Sequence, residues 1–368
     1  MKTNPKDLLT TPQAVVILIN YVLAAGILTL PRSSVDKVKT PDVWISVILG
    51  GLISFMAGFI MVKLSQQFPE KTFYQYSKEI IGKWLGAFLG LLMVGYFLAL
   101  ASYEVRTLAE VTGFFLLEGT PIWAIIMPFI WLGLYLIIDG INPIARLFEI
   151  IFPITVVVFL FVTFLSLGLF DLDNLRPVLG LGFTPVLKGV STTVMAYLGP
   201  EIMLILVSFM QKPKKAIKVL TIGISICMFF YIITVVMVIG ALSIDGTVSR
   251  TWPTIGLIRS FEIQGLIFER FESMLLVIWI MQIFATFIVT YYAATLGLAH
   301  IFNKKMKPFM FGVLPFIYII ARYPQNLNMV FKFGDYIGWS ALFLFGGVPP
   351  LLFVISKLKG AKHEAKNS

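Results

Sequence analysis

The chain has 368 residues, of which 58% are hydrophobic and only 13% charged, and its mean hydropathy is +0.91. Because soluble globular proteins carry about 25% charged residues, this composition excludes a soluble domain and predicts a polytopic membrane protein. The net charge of +10 could suggest a nucleic-acid partner. However, the lysines and arginines concentrate in alternate loops, as the positive-inside rule expects, so we predict contact with a lipid bilayer and no nucleic acid.

Apolar runs of about 20 residues, the length needed to cross a bilayer, predict ten membrane-spanning helices. An even number of spans places both termini on one side, and the positive charges assign that side to the cytoplasm. The predicted spans cover residues 12–35, 42–67, 85–115, 121–138, 144–168, 185–209, 217–243, 271–301, 308–323 and 334–357.

The spans divide into five before residue 183 and five after it. An odd number of spans in each half predicts an inverted structural repeat. We therefore expect an all-α fold with one transmembrane domain over residues 1–358, with repeat one at about 12–168 and repeat two at about 185–357. The polar residues 359–368 predict a disordered cytoplasmic tail.

Two segments outside the spans have an amphipathic pattern. Residues 244–270 are too polar to cross a bilayer, but their apolar residues predict a short interfacial helix on the outer face, and residues 69–83 predict a similar element inside. The apolar positions of the outer segment are Ile255, Leu257, Ile258, Phe261, Leu266 and Phe268.

The first and sixth spans are interrupted by small or helix-breaking residues, at 23–32 (LAAGILTLPR) and 197–201 (YLGPE). Lipid cannot satisfy the peptide groups that such a break exposes, so a break must face protein or a cavity. Matched breaks in the two halves of a transporter fold predict a binding site at mid-membrane. The alternative is that Gly26 only permits close helix packing and Pro200 only kinks a span.

The two breaks predict complementary binding groups. A half-helix that begins near Gly26 and Ile27 presents free N–H groups and the positive end of its dipole, which suit a carboxylate. A half-helix that ends near Leu198 presents free carbonyls, which suit an ammonium group or a cation. Together they match the two ends of a zwitterionic amino acid.

Several polar residues inside spans could serve this site. Glu201, directly after the second break, could hold a ligand ammonium, act as a proton-sensitive switch, or cap the next half-helix. Glu104 in the third span could line a cavity or a water path. Arg106 and Glu110 are one turn apart and predict a structural ion pair.

The eighth span carries Gln282, Thr286 and Thr290 at intervals of one turn, a polar stripe that predicts a face toward the bundle interior. Thr286 or the neighbouring Tyr291 could contact a ligand, although threonines also bond to their own helix. With two histidines and one cysteine no usual metal site can be assembled. No nucleophile elbow or phosphate-binding loop is present, so we expect neither cofactor nor enzyme.

Four segments carry a resemblance to a known family: AAGILTLPR at 24–32, NLRPV at 174–178, WPT at 252–254 and ERFES at 269–273. The chain resembles the B subunits of endospore germinant receptors, the GerAB, GerBB and GerKB group of the amino acid-polyamine-organocation superfamily. The resemblance implies a LeuT-like five-plus-five inverted repeat with broken helices 1 and 6. It also implies nutrient sensing in the spore inner membrane, with an A subunit and a lipoprotein C subunit as partners.

The resemblance also implies an amino acid pocket between the first, third, sixth and eighth spans. The candidate ligand-binding residues are Ala24, Ala25, Gly26, Ile27, Leu100, Leu198, Gly199, Thr286 and Tyr291, and Glu104 and Glu201 are candidates for an ion or water path or a switch. Several relatives have glycine where Ala24 stands, and Pro200 follows Gly199 here. Both departures alter the shape of the pocket.

Three functional hypotheses follow from these residues. The first is a receptor subunit in which a small nutrient, most simply an amino acid, binds at the breaks and shifts the bundle toward another state. The second is a permease that moves amino acids by alternating access. The third is an ion or water conduit that partner subunits open, with Glu104 and Glu201 along the path.

Overall fold

The computed structural model describes residues 8–24, 26–260 and 271–367. The regular structure in these ranges is helical, apart from one isolated parallel bridge between Leu9 and Met210. In chain order the helices are α1 (Thr11–Leu23), α2 (Gly26–Val38), α3 (Val43–Ser65), α4 (Phe73–Ile81), α5 (Lys83–Phe115), α6 (Ile122–Ile137), α7 (Ile141–Ser166), α8 (Thr184–Ala196), α9 (Met203–Leu206), α10 (Ala216–Ser249), α11 (Pro253–Arg259), α12 (Phe271–Phe302), α13 (Met306–Arg322) and α14 (Leu327–Asn367).

Each predicted span corresponds to helical structure. Six helices among the described residues are long and apolar enough to cross a membrane, namely α3, α5, α7, α10, α12 and α14. Two bent pairs raise this number to eight: α1 with α2, which meet at 48°, and α8 with residues 200–209, which meet at 42°. The two remaining predicted spans are the shorter helices α6 and α13, with 16 and 17 residues.

The first broken span begins with a capping box, and its start is joined to the end of the sixth span. Thr10 caps α1, since its backbone N–H donates to Gln13 Oε1 at 3.0 Å and its hydroxyl accepts from the Gln13 N–H at 3.4 Å. Just before this cap, the Leu9 N–H donates to the Phe209 carbonyl at 2.7 Å, and the Gln211 N–H donates to the Leu9 carbonyl at 2.9 Å. The start of the first span and the end of the sixth are therefore tied together by main-chain bonds.

The predicted short helices outside the spans are present. Residues 73–81 form α4, and residues 253–259 form α11. The positions Phe261, Leu266 and Phe268 of the outer segment lie outside the described residues. Helix α10 extends beyond the predicted span to Ser249, with one non-helical residue, Ser243, at φ 61° and ψ 177°.

The structure corrects the prediction for the C-terminus. We expected a disordered tail over residues 359–368, but α14 continues as helix to Asn367. The sequence KGAKHEAKN is rich in alanine, lysine and glutamate, which favour helix. Extending an existing helix also avoids the cost of nucleation, so polarity alone did not end it.

Helix α12 is the most enclosed of the long spans. Within its apolar window 83% of the residues are buried, against 22% for the windows of α7 and α14. The polar stripe that the sequence places on this helix therefore faces protein, as predicted. Helices α5, α7 and α1 pack against α12, and α1 also contacts residues 200–202 of the second break.

Candidate functional site

The two breaks contact each other. Gly199, in the second break, has φ 150° and ψ −32°, and a Cβ at this position would lie 2.3 Å from Cγ2 of Val22 near the end of α1. The positive φ favours glycine, and the close approach of Val22 leaves no room for a side chain. Glycine at this position thus allows the second break to pack directly on the first.

Side chains satisfy the carbonyls at both helix ends. The Tyr21 carbonyl accepts from Thr286 Oγ1 at 2.9 Å, and the Tyr197 carbonyl accepts from Ser54 Oγ at 2.9 Å. The Tyr231 hydroxyl reaches the Val22 carbonyl at 2.7 Å and the Ala196 carbonyl at 3.1 Å. The sequence suggested that such carbonyls would be free for a ligand ammonium, but a protein hydroxyl already lies within hydrogen-bond distance of each of these four.

Glu201 is held entirely by the protein at the second break. Its side chain is 1% exposed, and Oε1 accepts from the hydroxyls of Tyr21 at 3.1 Å and Tyr96 at 2.9 Å. Oε2 accepts from the Gly199 N–H at 2.6 Å. The contact with the Gly199 N–H is of the kind that the capping interpretation expects, and the two tyrosine hydroxyls join the break to α1 and α5.

A cavity of about 480 Å³ lies at the two breaks, within the size range of small-molecule sites. It combines residues of the first, third, sixth and eighth spans with residues of α14. Six of the candidates line it: Ala24, Gly26, Leu100, Glu104, Leu198 and Thr286. These six residues belong to four different spans, and the structure brings them together at one cavity.

The other candidates are placed differently. Ile27 uses its carbonyl to accept from Thr254 Oγ1 at 2.9 Å, and Tyr291 donates its hydroxyl to the Met310 carbonyl on α13. Neither of them lines the cavity, and the same holds for Gly199 and Glu201. Ala25 lies outside the described residues. Tyr291 therefore joins α12 to α13, and Ile27 joins α2 to the outer helix α11.

Glu104 is the buried polar group of the cavity that lacks a full set of partners. Its side chain is 3% exposed, and Oε2 has no hydrogen-bond partner among the described residues. A carboxylate in a membrane span is costly unless it is paired, hydrated or protonated, and such residues mark functional sites. Glu104 therefore lines the cavity and carries a buried acceptor that has no donor among the described residues.

The third span also carries the predicted Arg106–Glu110 pair, which is present. Arg106 Nη2 lies 2.7 Å from Glu110 Oε1, and Nη1 donates to the Ala321 carbonyl at 3.2 Å. Because this carbonyl lies in the last turn of α13, a guanidinium there is also favoured by the helix dipole. The pair joins α5 to α13 and has a structural role.

The polar stripe of α12 faces α1 and α7. Gln282 Nε2 donates to Asn20 Oδ1 at 2.9 Å and to Thr155 Oγ1 at 2.7 Å, while Thr290 bonds to the Thr286 carbonyl of its own helix at 2.8 Å. Thr286 is the member of the stripe that reaches the cavity. Gln282 and Thr290 therefore position α12, and Thr286 remains as the candidate for ligand contact.

The sequence analysis missed three charged residues that line the cavity. They are Arg32 and Asp36 of α2 and Asp335 of α14, and they lie on the side that the charge pattern assigns to the outer face. Tyr231, in the seventh span, was also missed. Nothing in the sequence marks it, because a single tyrosine in an apolar run fits the hydrophobic pattern of a buried helix.

A family model described as "Spore germination protein" matches residues 8–330 of the chain. The chain belongs to the spore germination protein family. It is similar to spore germination protein YndE of Bacillus subtilis (strain 168), with 58% identity over 354 residues that cover 96% of this chain and 98% of that protein. This spore germination protein is thus an integral membrane protein related to its family over almost its whole length.

Solved structures of transporters share the fold of this spore germination protein. Mhp1, a nucleobase-cation-symport-1 family transporter, superimposes with a TM-score of 0.72 at 12% identity, covering 95% of this chain and 80% of that one. MhsT, solved in complex with L-phenylalanine, gives a TM-score of 0.68 at 11% identity, covering 94% of this chain and 97% of that one. The predicted all-α, LeuT-like fold is confirmed, and family and fold are those of permeases and transporters.

Proposed function

We propose that this spore germination protein is the membrane-embedded subunit of a germinant receptor, and that it binds a small nutrient, most simply an amino acid, in the cavity at the two breaks. The observation that carries the proposal concerns Glu104, which lines the cavity together with Gly26 at the start of α2 and whose buried Oε2 has no hydrogen-bond partner among the described residues. These two groups have opposite polarity, as the two ends of a zwitterion require.

The orientation of the ligand follows from these groups. The N-terminus of α2 carries the positive end of its dipole and suits the ligand carboxylate. The Glu104 carboxylate suits the ligand ammonium, because the Tyr231 hydroxyl already lies within hydrogen-bond distance of the Val22 and Ala196 carbonyls. Leu100 and Leu198 supply apolar surface for a side chain, and Thr286 lies beside them on the cavity wall.

The setting of the protein is proposed from its family and its charge pattern. We assign the chain to the spore inner membrane with both termini on the core side, where the lysine-rich segments face anionic headgroups. Its partners are an A subunit and a lipoprotein C subunit. In this arrangement ligand binding favours one state of the bundle, and the partner subunits read that state.

Binding of the twenty L-amino acids to the purified chain in nanodiscs, alone and together with the two partner subunits, tests the proposal. We expect at least one amino acid to bind, and Glu104→Gln to weaken its affinity at least tenfold, since a charge-assisted hydrogen bond contributes about 1.5–3 kcal/mol. Glu79→Gln, on the exposed face of α4, is the matched control and should bind as the wild type does. Absence of binding in both preparations refutes the proposal.

The transporter neighbours favour a second candidate, a permease that moves the same ligand by alternating access. Uptake of the bound amino acid into proteoliposomes separates the two functions. Saturable accumulation by the isolated chain supports the permease, and binding without accumulation supports the receptor subunit.

A further inference from the structure

Tyr231 lies within α10, outside the four spans that form most of the cavity wall. Its side chain is fully buried, and its hydroxyl reaches the Val22 carbonyl at 2.7 Å and the Ala196 carbonyl at 3.1 Å. Val22 is in the last turn of α1, and Ala196 is the last residue of α8. One hydroxyl from a third helix therefore bonds to the ends of both half-helices.

These carbonyls need a donor from outside their own helices. The last four carbonyls of a helix have no intrahelical partner, and a buried carbonyl without a donor costs free energy. A phenol has a single proton and can donate to one of the two carbonyls at a time. The two breaks therefore share one donor, and the bond available to one depends on the bond made to the other.

The same phenol also fixes the start of α2. A Cβ on Gly26 would lie 2.3 Å from the Tyr231 hydroxyl oxygen and 2.8 Å from its Cζ, so the glycine backbone rests directly on the end of the ring. On its other side the ring of Tyr231 meets the ring of Tyr197 edge to face, with centroids 5.0 Å apart and an interplanar angle of 72°. The phenol is enclosed by both breaks.

We propose that Tyr231 is a positioning residue that couples the two breaks and sets the geometry of the cavity between them. Val22 and Ala196 both line the cavity, so their positions help to define its shape. The coupling of the breaks stands without a ligand, and its effect on affinity rests on the function proposed above.

Amide hydrogen exchange of the full-length protein in nanodiscs tests the coupling directly. Tyr231→Phe removes the hydroxyl and keeps the ring, and we expect exchange to become about tenfold faster in peptides covering both breaks, near residues 20–30 and 194–204, because the two breaks lose the one donor that they share. Tyr197→Phe is the matched control, since the Tyr197 hydroxyl is buried without a partner among the described residues. It should leave both peptides unchanged.

A second variant separates coupling from general loosening. Ser54→Ala removes the donor to the Tyr197 carbonyl only, so exchange should rise at the second break and stay unchanged at the first. Acceleration at one break alone in Tyr231→Phe, or at neither, overturns the proposal, as does equal acceleration throughout α5 and α12.

A ligand measurement extends the test to the cavity. For an amino acid that the wild type binds, Tyr231→Phe should weaken affinity about tenfold and Tyr197→Phe should not. Unchanged affinity in Tyr231→Phe refutes the role in binding. If the wild type binds no amino acid, the proposed function fails while the exchange experiment still decides the coupling.

Discussion

Pro31 and Thr254 form a pair whose energetic coupling can be measured. Pro31 lies inside α2 and has no N–H, so it cannot donate to the carbonyl four residues earlier, that of Ile27. Thr254 Oγ1, on the outer helix α11, donates to this carbonyl at 2.9 Å. The hydroxyl thus replaces the hydrogen bond that proline removes, and it joins α11 to the half-helix that begins at the first break.

Thr254→Val keeps the shape of the side chain and removes the donor. The Ile27 carbonyl is then buried without a partner, at a cost of about 1–3 kcal/mol. Helix α11 should stay in place, because Trp252 beside it packs on Phe115 with ring centroids 5.8 Å apart. We therefore expect a loss of stability and faster amide exchange in the first turns of α2 without loss of the fold.

Pro31→Ala supplies the control. Alanine restores an N–H that can donate to the Ile27 carbonyl within the helix, so Thr254→Val should cost less than about 0.5 kcal/mol in this background, a coupling of about 1–2 kcal/mol. Stabilities from reversible denaturant unfolding of the four proteins in detergent give this value. An equal cost of Thr254→Val in both backgrounds refutes the reasoning that the hydroxyl compensates for the proline.

Three further predictions concern single sites. Glu104→Gln should leave the thermal midpoint unchanged or raise it, because it replaces a buried carboxyl group whose Oε2 has no partner among the described residues. Glu201→Gln should cost about 3 kcal/mol or more, because an amide cannot accept from all three of the present donors. Thermal unfolding of both variants checks the contrast. Gly199→Ala should lower the amount of folded protein by size-exclusion chromatography, since its φ is 150° and Val22 lies 2.3 Å from the new Cβ. Gly95→Ala, which meets nothing within 4 Å on α5, should be neutral or stabilise by about 0.5–1 kcal/mol in thermal unfolding.

Hydrophobic run length and helix-breaking residues predicted the architecture because they are local properties. Ten spans, two matched breaks and the short helices α4 and α11 all follow from composition within a window of the chain. The C-terminal tail failed this method because polarity predicts solvation and does not predict where a helix ends. The lysine- and alanine-rich residues after Lys359 are solvated in character and still continue α14.

The candidate site was predictable only in part, because hydrogen-bond partners are chosen in three dimensions. The sequence placed Gly26, Leu100 and Thr286 near one another through the resemblance to a family, and the structure brings them to one cavity. It left open whether Glu201 caps a helix or faces a ligand, and the Tyr21 and Tyr96 hydroxyls that bond to its carboxylate come from two other spans. No pattern within α10 indicates that Tyr231 reaches both breaks.

The main-chain bridge between Leu9 and Met210 bears on whether solute crosses the bundle. At the end of the first span opposite Arg32, two peptide hydrogen bonds join the start of that span to the end of the sixth. A carrier that releases its solute on that side must either break these hydrogen bonds in every cycle or move the two span ends together as one rigid body. A sensor that reports ligand occupancy to neighbouring subunits can keep these hydrogen bonds intact in both of its states.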